Sequence, residues 1–165
     1  MAKYETRFAS IDDFEKGGVL VIDDDPRNYV FSNVYEVTSR SAPFEKVAVA
    51  KNQEYVLEAV RVEGASPWRT SLHDEFALVM SGEVLFEFVD LTEPPPGLPD
   101  RGSVELSAAP QGPPMGRVAG RRGHMVLLAA GSAYRYTADS PAALLVQTMA
   151  SADTQFRWPE ICQTR

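Results

Sequence analysis

His73 and His124 are the only imidazoles in a chain of 165 residues, so a three-histidine metal site is impossible within one chain. His73 and Glu75 are two residues apart, and on a strand that spacing sends both side chains to one face. A carboxylate beside an imidazole is part of a divalent-metal site, and Tyr134 can join some such sites as phenolate. Arg69 cannot: a guanidinium has no lone pair and stays protonated, so it repels a cation placed beside it. Next to it, Trp68 offers an indole that can stack on an aromatic ring, while the guanidinium can orient a phenol oxygen or a carboxylate. Cys162, the one cysteine, cannot form an internal disulfide.

The elements that must position these groups read as strands. From Phe44 onward the apolar period is 2: Val47 and Val49, then Val56 to Val62, Phe76 to Met80 and Val84 to Leu91. Gly82 and Glu83 make the link between two of them a tight hairpin. Met125 to Leu128, Tyr134 to Thr137 and Ala143 to Met149 supply three more strands. Many short strands with little helix between them indicate an all-β sandwich or barrel.

The flanks differ in texture. Residues 1–42 form an N-terminal extension, with Ser10 placed to cap a short helix over Ile11 to Lys16, a short strand from Val19 to Ile22, and an aromatic-rich stretch from Tyr29 to Arg40 whose state the residues leave open. Residues 43–150 form the barrel. Within it, residues 91–116 carry seven prolines, which leaves little room for a continuous strand and marks a surface flap or an arm lying on another subunit. Residues 151–165 form a tail whose Phe156 and Trp158 need a surface to dock on. Arg117, Arg121 and Arg122 gather positive charge on a chain of net charge −7, either as solvated surface or as interface ion pairs.

That charge and a pI near 4.8 argue against nucleic-acid and anionic-membrane partners, which need a concentrated Lys/Arg surface. No apolar run approaches the roughly 20 residues that cross a bilayer, and no secretory leader is visible, so the expected location is the cytoplasm.

The stretch DEFALVMSGEV, with six residues between Glu75 and Gly82, followed by GHMVLLAAGSAYRYTA from Gly123 to Ala138, resembles the two motifs of the cupin superfamily. That resemblance implies a double-stranded β-helix, a jelly-roll barrel, with an N-terminal extension and a long Pro-rich loop. It also implies a metal site, whose chemistry this chain lacks. Where the family's first motif has His-x-His before the glutamate, one register has Arg69 and Ser71 and the other Trp68 and Thr70; Tyr134 stands where the second motif has its histidine. His124 lies about 20 Å of extended chain away from the Tyr134 turn. Ser71, His73, Glu75 and Tyr134 therefore read as a vestigial cupin site, with no metal held by this chain and Arg69 or another basic group expected to pair with Glu75.

Through SPWRTSLHDEFALVMSGEV and RRGHMVLLAAGSAYRYTA, and in its length and layout, the chain is similar to the small (alpha) subunit of the two-subunit Fe(II) hydroquinone 1,2-dioxygenases. The resemblance implies a non-metal-binding subunit that is inactive in isolation. It implies a larger, iron-binding cupin partner in an α2β2 heterotetramer, and an aromatic substrate: hydroquinone plus O2 gives 4-hydroxymuconic semialdehyde. No residue of this chain is then catalytic, Fe(II) belongs to the partner subunit, and Trp68 and Arg69 wall or brace the substrate pocket. The competing expectation is a stand-alone metal-free cupin that binds or senses a small aromatic or acidic ligand.

Overall fold

The computed structural model describes residues 10–12, 32–52 and 54–161. Of the helix expected over Ile11 to Lys16 only Ile11 and Asp12 are described, and they form a bend; the rest of it and the strand from Val19 to Ile22 lie outside the described residues. Ten strands follow one helix: β1 Lys46–Asn52, β2 Tyr55–Ala65, β3 Arg69–Thr70, β4 Glu75–Ser81, β5 Glu83–Asp90, β6 Val104–Glu105, β7 Pro114–Arg121, β8 Met125–Leu128, β9 Ser132–Met149 and β10 Thr154–Gln155. The helices are α1, Val34–Arg40, and a last turn α2, Trp158–Ile161.

β9 organises the barrel. Its first half pairs with β5 on one side, from Ser132 to Thr137, and with β3 on the other. Its second half, from Ala143 to Gln147, pairs with β4 on one side and β2 on the other. One strand thus runs through both faces of a jelly roll: β6, β3, β9, β5 and β7 on one face, β10, β1, β2, β9, β4 and β8 on the other. The sequence shows two separate strands here, Tyr134 to Thr137 and Ala143 to Met149. Asp139, Ser140 and Pro141 hide the continuity because they are poor strand formers, but the pairing with β2 bridges them through an irregularity at Val62 and Gly64.

Alternation then fills the interior. In β4, Glu75, Ala77, Val79 and Ser81 are buried and the residues between them face outward. Val62, Val79, Phe86, Leu128, Tyr136 and Leu144 belong to one cluster that joins the two faces. A second cluster sits outside the barrel, where Val37 of α1 and Ile161 of α2 cover Val47, Val49 and Ala59. The Tyr29 to Arg40 stretch resolves in part as α1, capped by Asn33, whose Oδ1 accepts the N–H groups of Tyr35 and Glu36 at 3.0 and 3.2 Å. The aromatic tail docks on its own chain: Trp158 packs on this second cluster, Phe156 meets it edge-on at 5.6 Å, and β10 runs parallel to β1.

The Pro-rich stretch is less irregular than its composition implies. β7 begins inside it at Pro114, a position a strand tolerates because β7 pairs only with β5 among the described residues and Pro114 opens it. β6 pairs with β3, and Leu106 N–H donates to the Trp68 carbonyl at 2.8 Å. Between them the arm curls around a cleft of about 660 Å³ lined by Leu91, Pro96, Leu98, Val104 and Leu106, among others.

Candidate functional site

Glu75 opens β4 facing inward, and 1% of its surface is exposed. Such a carboxylate must find partners or neutralise. Two hydroxyls supply them: the Tyr134 phenol donates to Oε2 and Thr148 Oγ1 donates to Oε1. Tyr134 and Thr148 come from the two halves of β9, so the continuity of that strand is what brings them to one carboxylate. The His73 ring closes the row, with Nε2 3.2 Å from Thr148 Oγ1 and Nδ1 2.9 Å from Ser71 Oγ. Ser71, His73, Glu75 and Tyr134, the residues of the vestigial motif, thus form one hydrogen-bonded row, completed by Thr148. Nothing in the motif spacing pointed to Thr148; its signal is only that it has inward parity near the end of β9. Burial, and then the charge of Glu75, push the Tyr134 phenol well above its usual range.

Arg69 does not pair with Glu75, contrary to expectation. It is 7% exposed and turns to a second polar group. Its Nε donates to Ser103 Oγ at 3.2 Å, one Nη to the Ser103 carbonyl at 3.0 Å, and the same Nη pairs with Asp153 at 2.5 Å. Lys46 joins from β1, 3.3 Å from both Ser103 Oγ and Glu58 Oε2 and 3.4 Å from Asp153. Arg69 is spoken for because Ser103, from the Pro-rich arm, and Asp153, from the tail, reach it across the barrel end, while two hydroxyls already satisfy Glu75. Burial works against the Arg69 cation, and Tyr136, Asp153 and Tyr134 together outweigh it, so its pKa rises. Burial likewise raises Asp153, but Lys46, Ser151 and Arg69 overcome it and hold the carboxyl below its usual value. Glu58 goes the other way: desolvation outweighs Lys46 and Thr154.

Trp68 leaves on the opposite side. Arg69 faces the interior beside its cross-strand neighbour Tyr134, while Trp68, just before β3, is only half-buried. The indole lies against Arg135, whose guanidinium carbon is 4.7 Å from the ring centroid. The structure does not bring Trp68 and Arg69 together, and His124, exposed at the β7–β8 turn, stays with Arg121. Arg117 and Arg121 are paired with Glu87 and Glu83.

Two solved structures match nearly the whole chain. A hydroquinone 1,2-dioxygenase from Sphingomonas sp. TTNP3 with 4-hydroxybenzoate bound is 48% identical, with a TM-score of 0.90, covering 99% of this chain and 99% of that one. The hydroquinone 1,2-dioxygenase PnpCD in complex with Cd2+ and 4-hydroxybenzonitrile is 46% identical, with a TM-score of 0.88, covering 98% of each. The chain belongs to the hydroquinone 1,2-dioxygenase subunits. A different and longer chain of PnpCD, in complex with Fe3+, shares the fold at 14% identity and a TM-score of 0.62; the match covers 86% of this chain but 39% of that one. Dioxygenases of this family therefore contain a subunit larger than this one. No family model and no curated protein matches the chain.

Structures of PnpCD hold Cd2+ or Fe3+, and the donors around Glu75 do not fit a metal ion. Both carboxylate oxygens already accept hydroxyl protons, and both ring nitrogens of His73 face hydroxyls. Among the described residues, no three His, Cys, Asp or Glu side chains gather as a ligand set. No helix of the described residues is long and apolar enough to cross a membrane.

Proposed function

We propose that this chain is the non-metal-binding accessory subunit of a ring-cleaving hydroquinone dioxygenase. It acts on hydroquinone and O2, giving 4-hydroxymuconic semialdehyde, in an α2β2 assembly in the cytoplasm. A larger cupin subunit holds the iron, and this chain braces that subunit and helps to wall its substrate pocket. The observation that carries the reading is the occupation of Glu75 by Tyr134 and Thr148 in a chain that otherwise matches a dioxygenase subunit end to end. A carboxylate with both oxygens hydrogen-bonded to protein supports the barrel and leaves the redox metal to the partner.

The two residues expected at the pocket wall divide the work. Trp68 lies half-buried on the outer face, where a partner's pocket can use the flat side of its ring. Arg69 braces from within by tying the arm to the tail through Ser103 and Asp153. Co-expression with a larger cupin subunit encoded beside it is the test, and absence of such a gene neighbour would itself count against the reading. The two chains should purify together, and hydroquinone-dependent oxygen uptake should require both. Metal analysis of this chain purified by itself should find no stoichiometric iron, manganese or zinc. A well-behaved monomer that binds an aromatic acid and recruits no partner would instead favour a stand-alone sensor.

A further inference from the structure

Outward-facing residues of β9, β5 and β7 form a continuous row next to Trp68. Glu87 is the cross-strand neighbour of both Arg135 and Arg117. Its Oε2 pairs with Arg135 Nε at 2.6 Å and its Oε1 with Arg117 Nε at 3.2 Å. The Glu87 side chain is 14% exposed and that of Arg135 35%, so this ion pair is partly shielded, unlike most surface pairs. Arg135 then lies over the indole of Trp68. The Trp68 backbone is held by its carbonyl bond from Leu106, but a half-buried indole still has two torsions to settle. The guanidinium above it supplies the constraint, because a cation within about 6 Å of a ring centroid is attracted to its face.

We propose that Arg135, locked by Glu87, is a positioning residue that sets the plane of Trp68 for substrate at the wall of the dioxygenase pocket. This rests on the wall reading above. Sequence inspection does not reveal it, since Arg135 is separated from Trp68 by more than sixty positions and looks like ordinary surface charge.

The test is a double-mutant cycle in the co-purified complex, following oxygen uptake against hydroquinone concentration. Trp68→Ala should raise KM more than it lowers kcat. Arg135→Leu should raise KM by about two- to tenfold, the range a partly exposed cation–π contact supports. In Trp68→Ala/Arg135→Leu the effect should be no larger than in Trp68→Ala, because Arg135 acts through the ring. Arg135→Lys, which restores a cation over the indole, should recover part of the loss, and Glu87→Gln should reproduce a milder form of it. Additive effects in the double variant, or an unchanged KM in both Arg135→Leu and Glu87→Gln, would overturn the positioning role while leaving the wall reading intact. An unchanged KM in Trp68→Ala would remove the wall itself. If Arg135→Leu fails to co-purify, the lysine and glutamine variants decide the matter.

Discussion

Tyr134 donates its phenol proton to Glu75 inside the barrel, and each residue is 1% exposed. The carboxylate opens β4 and points into the core. A phenol from the first half of β9 and a hydroxyl from the second half converge on it. In a low-dielectric interior these charge-assisted bonds are stronger than neutral ones, and leaving any of the three groups without a partner is correspondingly costly.

Glu75→Ala should therefore be among the most damaging interior substitutions. It takes away the acceptor of the buried Tyr134 phenol, at about 1–3 kcal/mol, leaves Thr148 with only its contacts to His73 and the Met149 carbonyl, and opens a cavity besides. Glu75→Gln keeps an acceptor for one hydroxyl and should lose less, as should Tyr134→Phe. Urea denaturation of the three variants gives the order directly, and an alanine variant as stable as the parent would contradict the network.

Alkaline pH should weaken the fold through the same residue. Tyr134 and Tyr136 both have raised phenol pKa values, in each case chiefly because burial disfavours phenolate. The folded chain then holds these protons more tightly than the unfolded chain. Their contribution is complete below the unfolded phenol value of about 10 and is lost as pH rises beyond it. The urea midpoint should fall between about pH 10 and pH 12, and Tyr134→Phe should flatten that fall relative to the parent. Ultraviolet titration of the folded chain should count fewer ionising phenols than titration in denaturant.

Much of the barrel was legible because period-2 alternation survives wherever one strand face meets the core, as in β4 and in Val84 to Phe86 of β5. β9 was not, since its middle turns from one face of the jelly roll to the other through residues that break the alternation. At the candidate site, the residues of the vestigial row came from motif spacing. Their bonding did not, because Thr148 and Asp153 lie more than seventy positions from their partners and only closure of the barrel brings them there. The Arg69–Glu75 pairing failed for the same reason: charge chemistry suggested it, while two hydroxyls and a distant aspartate were nearer.

Gly82 is required by both conformation and space. It has φ +78°, and a Cβ there would stand 2.6 Å from the Cβ of Ala142 and 3.0 Å from its Cα, at the point where β9 passes under the hairpin. Gly82→Ala should lower stability by roughly 2 kcal/mol or more, since the strained backbone and the backbone clash add. Gly64 also has a positive φ, but nothing lies within 4 Å of its added Cβ. Gly64→Ala, measured beside it by thermal denaturation, should cost only the conformational part.

Trp68 and Arg69 should separate cleanly when substituted, because the Arg69 side chain is buried at the barrel end while the Trp68 indole lies half-buried against Arg135. Arg69→Met removes the group that ties Ser103 to Asp153 and leaves Lys46 hydrogen-bonded to that serine. The Pro-rich arm should then loosen: amide exchange at Val104 to Leu106 should quicken, and proteolysis within residues 92–110 should begin in denaturant too dilute to unfold the barrel. Trp68→Phe should leave exchange in the arm unchanged, because the Leu106 bond is to the Trp68 backbone and survives the substitution. Its effect should appear in the assembled enzyme, as weaker handling of hydroquinone. Fast exchange in both variants would mean that the indole packs as part of the arm's support rather than as a surface offered to the partner. Slow exchange in both would mean that Lys46 suffices as the anchor and that Arg69 braces something else.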